Sequence, residues 1–368
     1  LKPCFGFCLL CFFLILFSSS VCAAESPNIQ AKAAVLLDMN SGNILWSKNA
    51  NEALPPASTT KILSAIMAIE MEELDHLCLI SPQAAAVGES SANLSPGEEL
   101  SLADLLTLAL LKSANDACYA MGENVAGSEE FFVYLMNLKA AVLGAEGSTL
   151  CNTNGMPNAD HVMSAADLAT IARYAMHNTV FSDYVGTTYG NTYTGAYQRT
   201  AKNTNKLLYR NAYVIGVKTG TTNAAGACLV AAMEKNGRRV IAVVLNSPDR
   251  YNECLKLLEY GVENFVNVTW GASDDALGYT VVKKGQEQLV AVVASGRGIA
   301  TVAKDKVAGC HVVACWCALS APVAAGEVAG WLSLVDSEGQ KLGELNLIVQ
   351  KSVAKKGIFN WLEKITKD

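Results

Sequence analysis

The chain has 368 residues, of which 51% are hydrophobic and 17% charged, a composition that suits a packed globular protein and excludes a disordered one. The formal net charge of −6 excludes the basic footprint that nucleic-acid binding requires. The length predicts about two domains.

Lys2 precedes the apolar run FGFCLLCFFLILF at residues 5–17, and the small residues Ala23 and Ala24 follow shortly after it. This is the layout of a secretory signal peptide over 1–24, since the run is short for a bilayer span; the alternative is an uncleaved anchor. Leu1 stands where a start Met is usual, as in a non-standard start or a trimmed N-terminus. Of the 12 cysteines, Cys4, Cys8, Cys11 and Cys22 lie in this leader, and most of the others sit in apolar periodic segments where a buried thiol is expected. Export permits disulfides, but no pairing follows from the spacing. Cys310, His311, Cys315 and Cys317 cluster, yet they lack the second cysteine pair of a zinc site, so no metal and no cofactor is expected.

Residues 31–48 alternate and turn at Asn40-Ser41-Gly42, which predicts a β-hairpin. Helical periodicity then dominates from Ser58 to about Arg173. It predicts one helix over 59–72, at least one over 101–127, and another over 128–144 opened by Ser128 with Glu129 and Glu130. A further helix over 164–177 starts with Ser164 and Asp167 in capping-box spacing. Strands return at 213–218, 227–233 and 240–245, the last two joined at Asn236-Gly237, and a helix follows over 249–266. Strands at both ends with helices between predict an α+β design, an antiparallel sheet built from distant pieces with a helical insert.

Near residue 270 the texture changes to short alternating runs broken by glycine turns, a small all-β domain over 270–350. From Lys351 onward five lysines stand against Glu363 and Asp368, while Ile358, Trp361, Leu362 and Ile365 fall on one helical stripe. That pattern predicts an amphipathic tail over 351–368 lying on a membrane surface; the alternative is a helix docked on the β-domain.

Ser58 and Lys61 stand three apart at the head of the first helical run, so they share one face and the amine reaches the hydroxyl. The apolar neighbours Ile62, Ile66 and Ile69 would bury this turn, and burial lowers the basicity of a lysine. Such a lysine can take the serine proton at neutral pH. Alone, the pair equally fits a helix cap with a solvated lysine. Two distant motifs shift the balance: Ser113-Ala114-Asn115 between helical segments, and Lys218-Thr219-Gly220 at the end of a buried strand. S-x-x-K, S-x-N and K-T-G in that order form the signature of serine β-lactamases and penicillin-binding proteins. Gly220 would let substrate backbone lie close against the sheet edge.

With these motifs in place, the chain resembles the low-molecular-mass penicillin-binding proteins that are D-alanyl-D-alanine carboxypeptidases. The likeness covers nearly the whole chain, including LPPASTTK at 54–61, SANDA at 113–117, NGMPNADHVMSAADLA at 154–169, NTNKLL at 203–208 and GVKTGTT at 216–222. It implies a transpeptidase/β-lactamase-like domain over 25–269 and a β-sandwich after it. It also implies a tail that docks on the outer face of the cytoplasmic membrane. The implied substrates are peptidoglycan stem peptides ending in D-Ala-D-Ala, and β-lactams are implied as covalent inhibitors. By the resemblance, Ser58 is the nucleophile and Lys61 its general base. Ser113 relays a proton to the leaving D-alanine near Lys218, and Asn115 orients Lys61 and binds the stem. The backbone N–H groups of Ser58 and Thr221 form the oxyanion hole, and Thr219 with Arg250 holds the terminal carboxylate. Alanine at 114, where glycine is common, and Thr221 after the K-T-G triplet are the departures, both at positions that contribute mainly backbone. Arg250 equally fits a helix-start surface residue, and His161 fits loop structure rather than a second base.

Three rivals share these motifs. A β-lactamase would need a glutamate after the S-x-N motif to activate water, and the region offers only Glu146 outside the E-x-x-L-N form. An endopeptidase that cuts crosslinks shares every motif. A non-catalytic β-lactam sensor would have no use for Lys61.

Overall fold

The computed structural model describes residues 25–195, 197–271 and 275–357. The leader at 1–24 and the apolar stripe from Ile358 onward lie outside the described residues.

The hairpin of β1 (Ala33–Asp38) and β2 (Ile44–Lys48) comes first. The longer helices that follow are α1 (Lys61–Met71), α2 (Leu102–Thr107), α3 (Asn115–Ala126), α4 (Glu129–Val142), α5 (Ala165–Met176) and α6 (Thr179–Gly186). The chain then returns through β3 (Val214–Thr222), β4 (Gly226–Lys235) and β5 (Arg238–Leu245) to α7 (Arg250–Asn264). The five strands form one antiparallel sheet in the order β2-β1-β5-β4-β3, which joins the two ends of the helical stretch as expected of an α+β chain.

Both faces of this sheet are covered, and the sequence alternation says how. In β1, Ala33, Val35 and Leu37 join the core shared with α1 and α5, whereas Ala34 and Leu36 join the core under α7. In β4, Val230 and Ala232 take the first side and Leu229, Ala231 and Met233 the second. Period-two strands buried on both faces read as continuous apolar runs. Each fully buried leucine or isoleucine here contributes about 2 kcal/mol of transfer free energy. Serine caps set three helix starts: the hydroxyls of Ser101, Ser128 and Ser164 accept from the amides of Asp104, Phe131 and Asp167.

The structure refines the sequence reading at several places. Residues Ala57–Thr60 form a 3₁₀ turn before α1, so the helix begins at Lys61 and Ser58 lies inside the turn instead of capping it. The 101–127 stretch is two helices, α2 and α3, separated by a wider π-helical segment Leu108–Lys112 and by Ser113, which sits in the left-handed region at φ 68°. Strand β3 continues through Lys218, Thr219 and Gly220 to Thr222 because its pairing with β4 holds to Thr222–Gly226.

Helix α7 runs directly into β6 (Phe265–Gly271), which pairs with β9 (Arg297–Ala303). A six-stranded sheet faces this pair: β7 (Gly278–Lys283), β8 (Leu289–Ala294), β10 (His311–Trp316), β11 (Leu319–Ser320), β12 (Val328–Val335) and β13 (Lys341–Val349) in the order β10-β12-β13-β8-β7-β11. Trp270, Val292, Leu332 and Leu347 belong to the separate core between the two sheets. A ring of polar contacts joins the two parts of the chain. Asp38 pairs with Arg238 at 2.9 Å, Arg238 donates to Asn267 at 3.3 Å, Thr301 donates to Asn267 at 3.0 Å, and the Thr301 and Ser41 hydroxyls meet at 2.7 Å. Among the described residues no helix is long and apolar enough to cross a membrane.

Candidate active site

The site is built where the 3₁₀ turn at 57–60 meets the open edge of the sheet. Strand β3 pairs only with β4, so its other edge is free of strands. Two glycines let backbone close on the turn. A Cβ on Gly155 (φ +83°) would lie 1.9 Å from the Ala57 carbonyl oxygen, and one on Gly220 would lie 2.9 Å from Pro56 O and 3.0 Å from Ser58 N. Gly220 therefore serves the approach of the strand to the 57–60 turn. Thr59 and Thr60 pin the turn from within by donating to the carbonyls of Pro56 (2.7 Å) and Ala57 (3.0 Å).

Lys61 begins α1 fully buried. Its Nζ lies 2.8 Å from Ser58 Oγ, 2.7 Å from Asn115 Oδ1 and 2.7 Å from the Asn154 carbonyl oxygen. Burial lowers its pKa to about 8, opposed by the negative potential that Cys118, Asp116 and Glu89 supply. Two of the three partners, the carbonyl oxygens of Asn115 and Asn154, can only accept. A neutral amine donates its two N–H groups to them, which leaves its lone pair facing the Ser58 hydroxyl.

Asn115 opens α3 almost fully buried and is held from the far side: its Nδ2 donates to Gly88 O at 3.0 Å and its backbone N–H to Ser90 O. Asp116 beside it is fully buried and gathers the 91–94 loop, accepting from Ser91 Oγ at 2.6 Å and from the amides of Ala92 and Leu94. Ser113 precedes them in the left-handed turn, nearly buried, and no hydrogen bond joins its hydroxyl to Ser58, Lys61 or Lys218.

Lys218 is also buried in β3, and its Nζ donates to Thr219 O at 3.1 Å. Burial, then the positive charge of Lys61, holds its pKa well below the usual lysine range, with Arg250 adding to the effect. Thr219 turns its hydroxyl to that of Thr204 at 2.7 Å. Arg250, at the start of α7, donates through Nη1 to Gly220 O (2.7 Å) and Thr221 Oγ1 (2.6 Å). It therefore braces the strand edge next to the turn. Ser58, Lys61 and Asn115 are joined by hydrogen bonds, and Thr219, Gly220, Thr221 and Arg250 are gathered on the adjacent edge.

His161 has other work. Its Nδ1 accepts from Cys151 N at 3.1 Å and its Nε2 meets Thr60 Oγ1 at 2.9 Å, while burial pushes its pKa down to about 4. It is a neutral strut under the 57–60 turn. Sequence reasoning missed the Asn154 carbonyl, the loop at 88–94 and Thr204. Asn154-Gly155 is a turn signal in its own right and could have marked a tight backbone approach. Among the described residues no group of three His, Cys, Asp or Glu side chains is placed to hold a metal ion. The described cysteines are free, and β10 ends at Trp316, before Cys317.

Residues 20–249 match the family described as D-alanyl-D-alanine carboxypeptidase. The chain is 31% identical over 368 residues to D-alanyl-D-alanine carboxypeptidase DacC of Escherichia coli, covering 94% of this chain and 91% of that one. It is 29% identical to DacF of Bacillus subtilis, covering 92% of this chain and 90% of that one. Its fold is similar to that of penicillin-binding protein 5 from Haemophilus influenzae, with a TM-score of 0.82 at 26% identity over 90% of this chain and 100% of that one.

Proposed function

We propose that this chain, which belongs to the D-alanyl-D-alanine carboxypeptidase family, removes the terminal D-alanine of peptidoglycan stem peptides through an acyl-enzyme on Ser58. The observation that carries the assignment of roles is the set of three partners around the buried Lys61 amine, two of which can only accept. Neutral Lys61 takes the Ser58 proton as Oγ attacks the carbonyl between the two D-alanines. The negative oxygen that forms is stabilised by the backbone N–H groups of Ser58 and Thr221, which the Gly220 approach brings to one edge. The C–N bond then breaks, and the departing amine takes a proton relayed from Lys61 through Ser113 beside Lys218. Water attacks the acyl-enzyme, Lys61 accepts its proton, and the shortened peptide leaves with Ser58 restored.

Thr219 binds the terminal carboxylate with its hydroxyl, and Lys218 and Arg250 supply positive potential behind it. Arg250 acts mainly by positioning, since its Nη1 is committed to Gly220 O and Thr221 Oγ1. A β-lactam would acylate Ser58 in the same way and persist. The third partner of Lys61 is a backbone carbonyl that cannot activate water, and Glu146 lies exposed in a turn. This speaks against a β-lactamase. Residues 25–269 would carry the chemistry. The leader, the β-rich residues 270–350 and the basic tail 351–368 support an exported enzyme held on the outer face of the cytoplasmic membrane.

The test is mass spectrometry of muropeptides incubated with the purified protein. Free D-alanine released from pentapeptides is the expected product. Cleaved crosslinks without it would favour the endopeptidase reading, and no change in either would remove the assignment.

A further inference from the structure

Beside the carboxylate-binding edge lies a cavity of about 630 Å³ lined by Lys202, Lys206, Arg210 and Arg250 with the rings of Tyr209 and Tyr251. Thr204 also lines it, and its 2.7 Å hydroxyl contact with Thr219 makes the cavity a neighbour of the residue assigned to the terminal carboxylate. Three cations crowd the Tyr251 ring: Lys206 Nζ at 5.8 Å, the Arg210 guanidinium at 5.6 Å and that of Arg250 at 5.1 Å. Lys202 lies over Tyr209 at 5.3 Å and Tyr189 at 5.6 Å. None of the four has a carboxylate within ion-pair distance among the described residues. On a chain with net charge −6, four uncompensated cations around one concavity repel one another. The cost is offset when an anion enters, and aromatic faces hold the cations in place meanwhile.

We propose that this cavity is an anion subsite on the leaving-group side, which takes a second carboxylate on the departing amino acid or peptide. The proposal rests on the reading that Thr219 holds the leaving group's α-carboxylate. The cavity's lining includes Thr204, the hydroxyl partner of Thr219, and none of Ser58, Lys61, Ser113 or Asn115, so it adjoins the end of the site assigned to the departing carboxylate. A single D-alanine has no group to place there. A leaving group with a further carboxylate does, as does the second stem peptide of a crosslink, so the subsite would favour substrates larger than the simple D-Ala-D-Ala terminus. Lysine and arginine side chains at the mouth are matched to carboxylate by charge and by donor geometry.

The experiment compares three synthetic substrates with the same acyl half, ending in D-Ala followed by D-alanine, D-glutamate or D-glutamine as leaving group. The full chain should release D-glutamate with a kcat/KM about tenfold above that for its neutral isostere D-glutamine, a ratio that shrinks in high salt. Replacing Lys206→Gln and Arg210→Gln together should bring the ratio to about one, with D-alanine release unchanged. D-alanine release also reports that the variant is folded and acylates. Equal rates for D-glutamate and D-glutamine in the parent chain, or a ratio that survives in the double variant, would overturn the subsite while leaving the function intact. No D-alanine release from the simple substrate would remove the parent reading, and the subsite with it.

Discussion

At the scale of single residues, the account turns on the charge of one amine. Lys61 is fully buried and burial lowers its pKa from the usual lysine range to about 8, so a minority of the molecules carry the free base at pH 7. The rate of acylation by a penicillin, followed by stopped-flow fluorescence, should therefore climb through pH 7 and 8 and level off only above about pH 9. A profile flat from pH 6 to 9 would contradict the assignment of Lys61 as base. The same shift has a consequence for stability. The unfolded chain keeps the Lys61 proton up to its ordinary pKa while the folded chain loses it near 8, so between those values the unfolded state binds more protons. Stability contributed by this residue thus rises with pH across that window. In Lys61→Met, chemical denaturation at pH 8 and pH 10 should show less of that rise. Lys218 shifts in the same direction and leaves a residual slope.

At the scale of elements, the site depends on three segments pressed together: the turn 57–60, the loop around Gly155 and the edge of β3. Gly155→Ala places a Cβ 1.9 Å from Ala57 O at a φ of +83°, so it should cost about 3 kcal/mol or more in thermal unfolding and slow acylation with it. Gly220→Ala meets its nearest atoms at 2.9–3.1 Å. Two of these are backbone atoms, so it should lower the melting temperature, though less than Gly155→Ala, while kcat/KM falls by about a hundredfold because the strand edge is displaced from Ser58. The Ser58–Lys61 spacing was legible in the sequence because i and i+3 share a helix face, and the other two motifs were legible as patterns. The Asn154 carbonyl was not, since a backbone acceptor leaves no mark in residue type. The basic cavity was not either, because Lys202–Arg210 and Arg250–Tyr251 meet only when the 202–210 segment packs against the start of α7. Strand β6 is hidden for another reason: Phe265 and Val266 continue the apolar stripe of α7, so periodicity carries the helix to 266, past the strand's start at Phe265.

At the scale of the whole molecule, the polar ring through Asp38, Arg238, Asn267, Thr301 and Ser41 links the sheet that carries the site to the β-rich part beyond it. Asp38 is completely buried, so Arg238→Ala strands a carboxylate without its counter-ion. A loss of about 3–5 kcal/mol in denaturant unfolding is expected. The penicillin acylation rate of the protein that remains folded should be unchanged, because none of these residues touches the nucleophile turn. A parallel fall in acylation rate would mean that the β-rich part shapes the site itself. The α+β order of elements and the change of texture after α7 were legible from periodicity. The register of this junction was not, because it is made by the single side chains of Asp38, Ser41, Arg238, Asn267 and Thr301, which are far apart in sequence.

The most direct measurement is intact-protein and peptide mass spectrometry after brief incubation with a penicillin. The account predicts a single adduct of the antibiotic's mass on the peptide that contains Ser58, and none in Ser58→Ala, whose circular dichroism matches the parent. An adduct that persists in Ser58→Ala, or that maps to another residue, would contradict it.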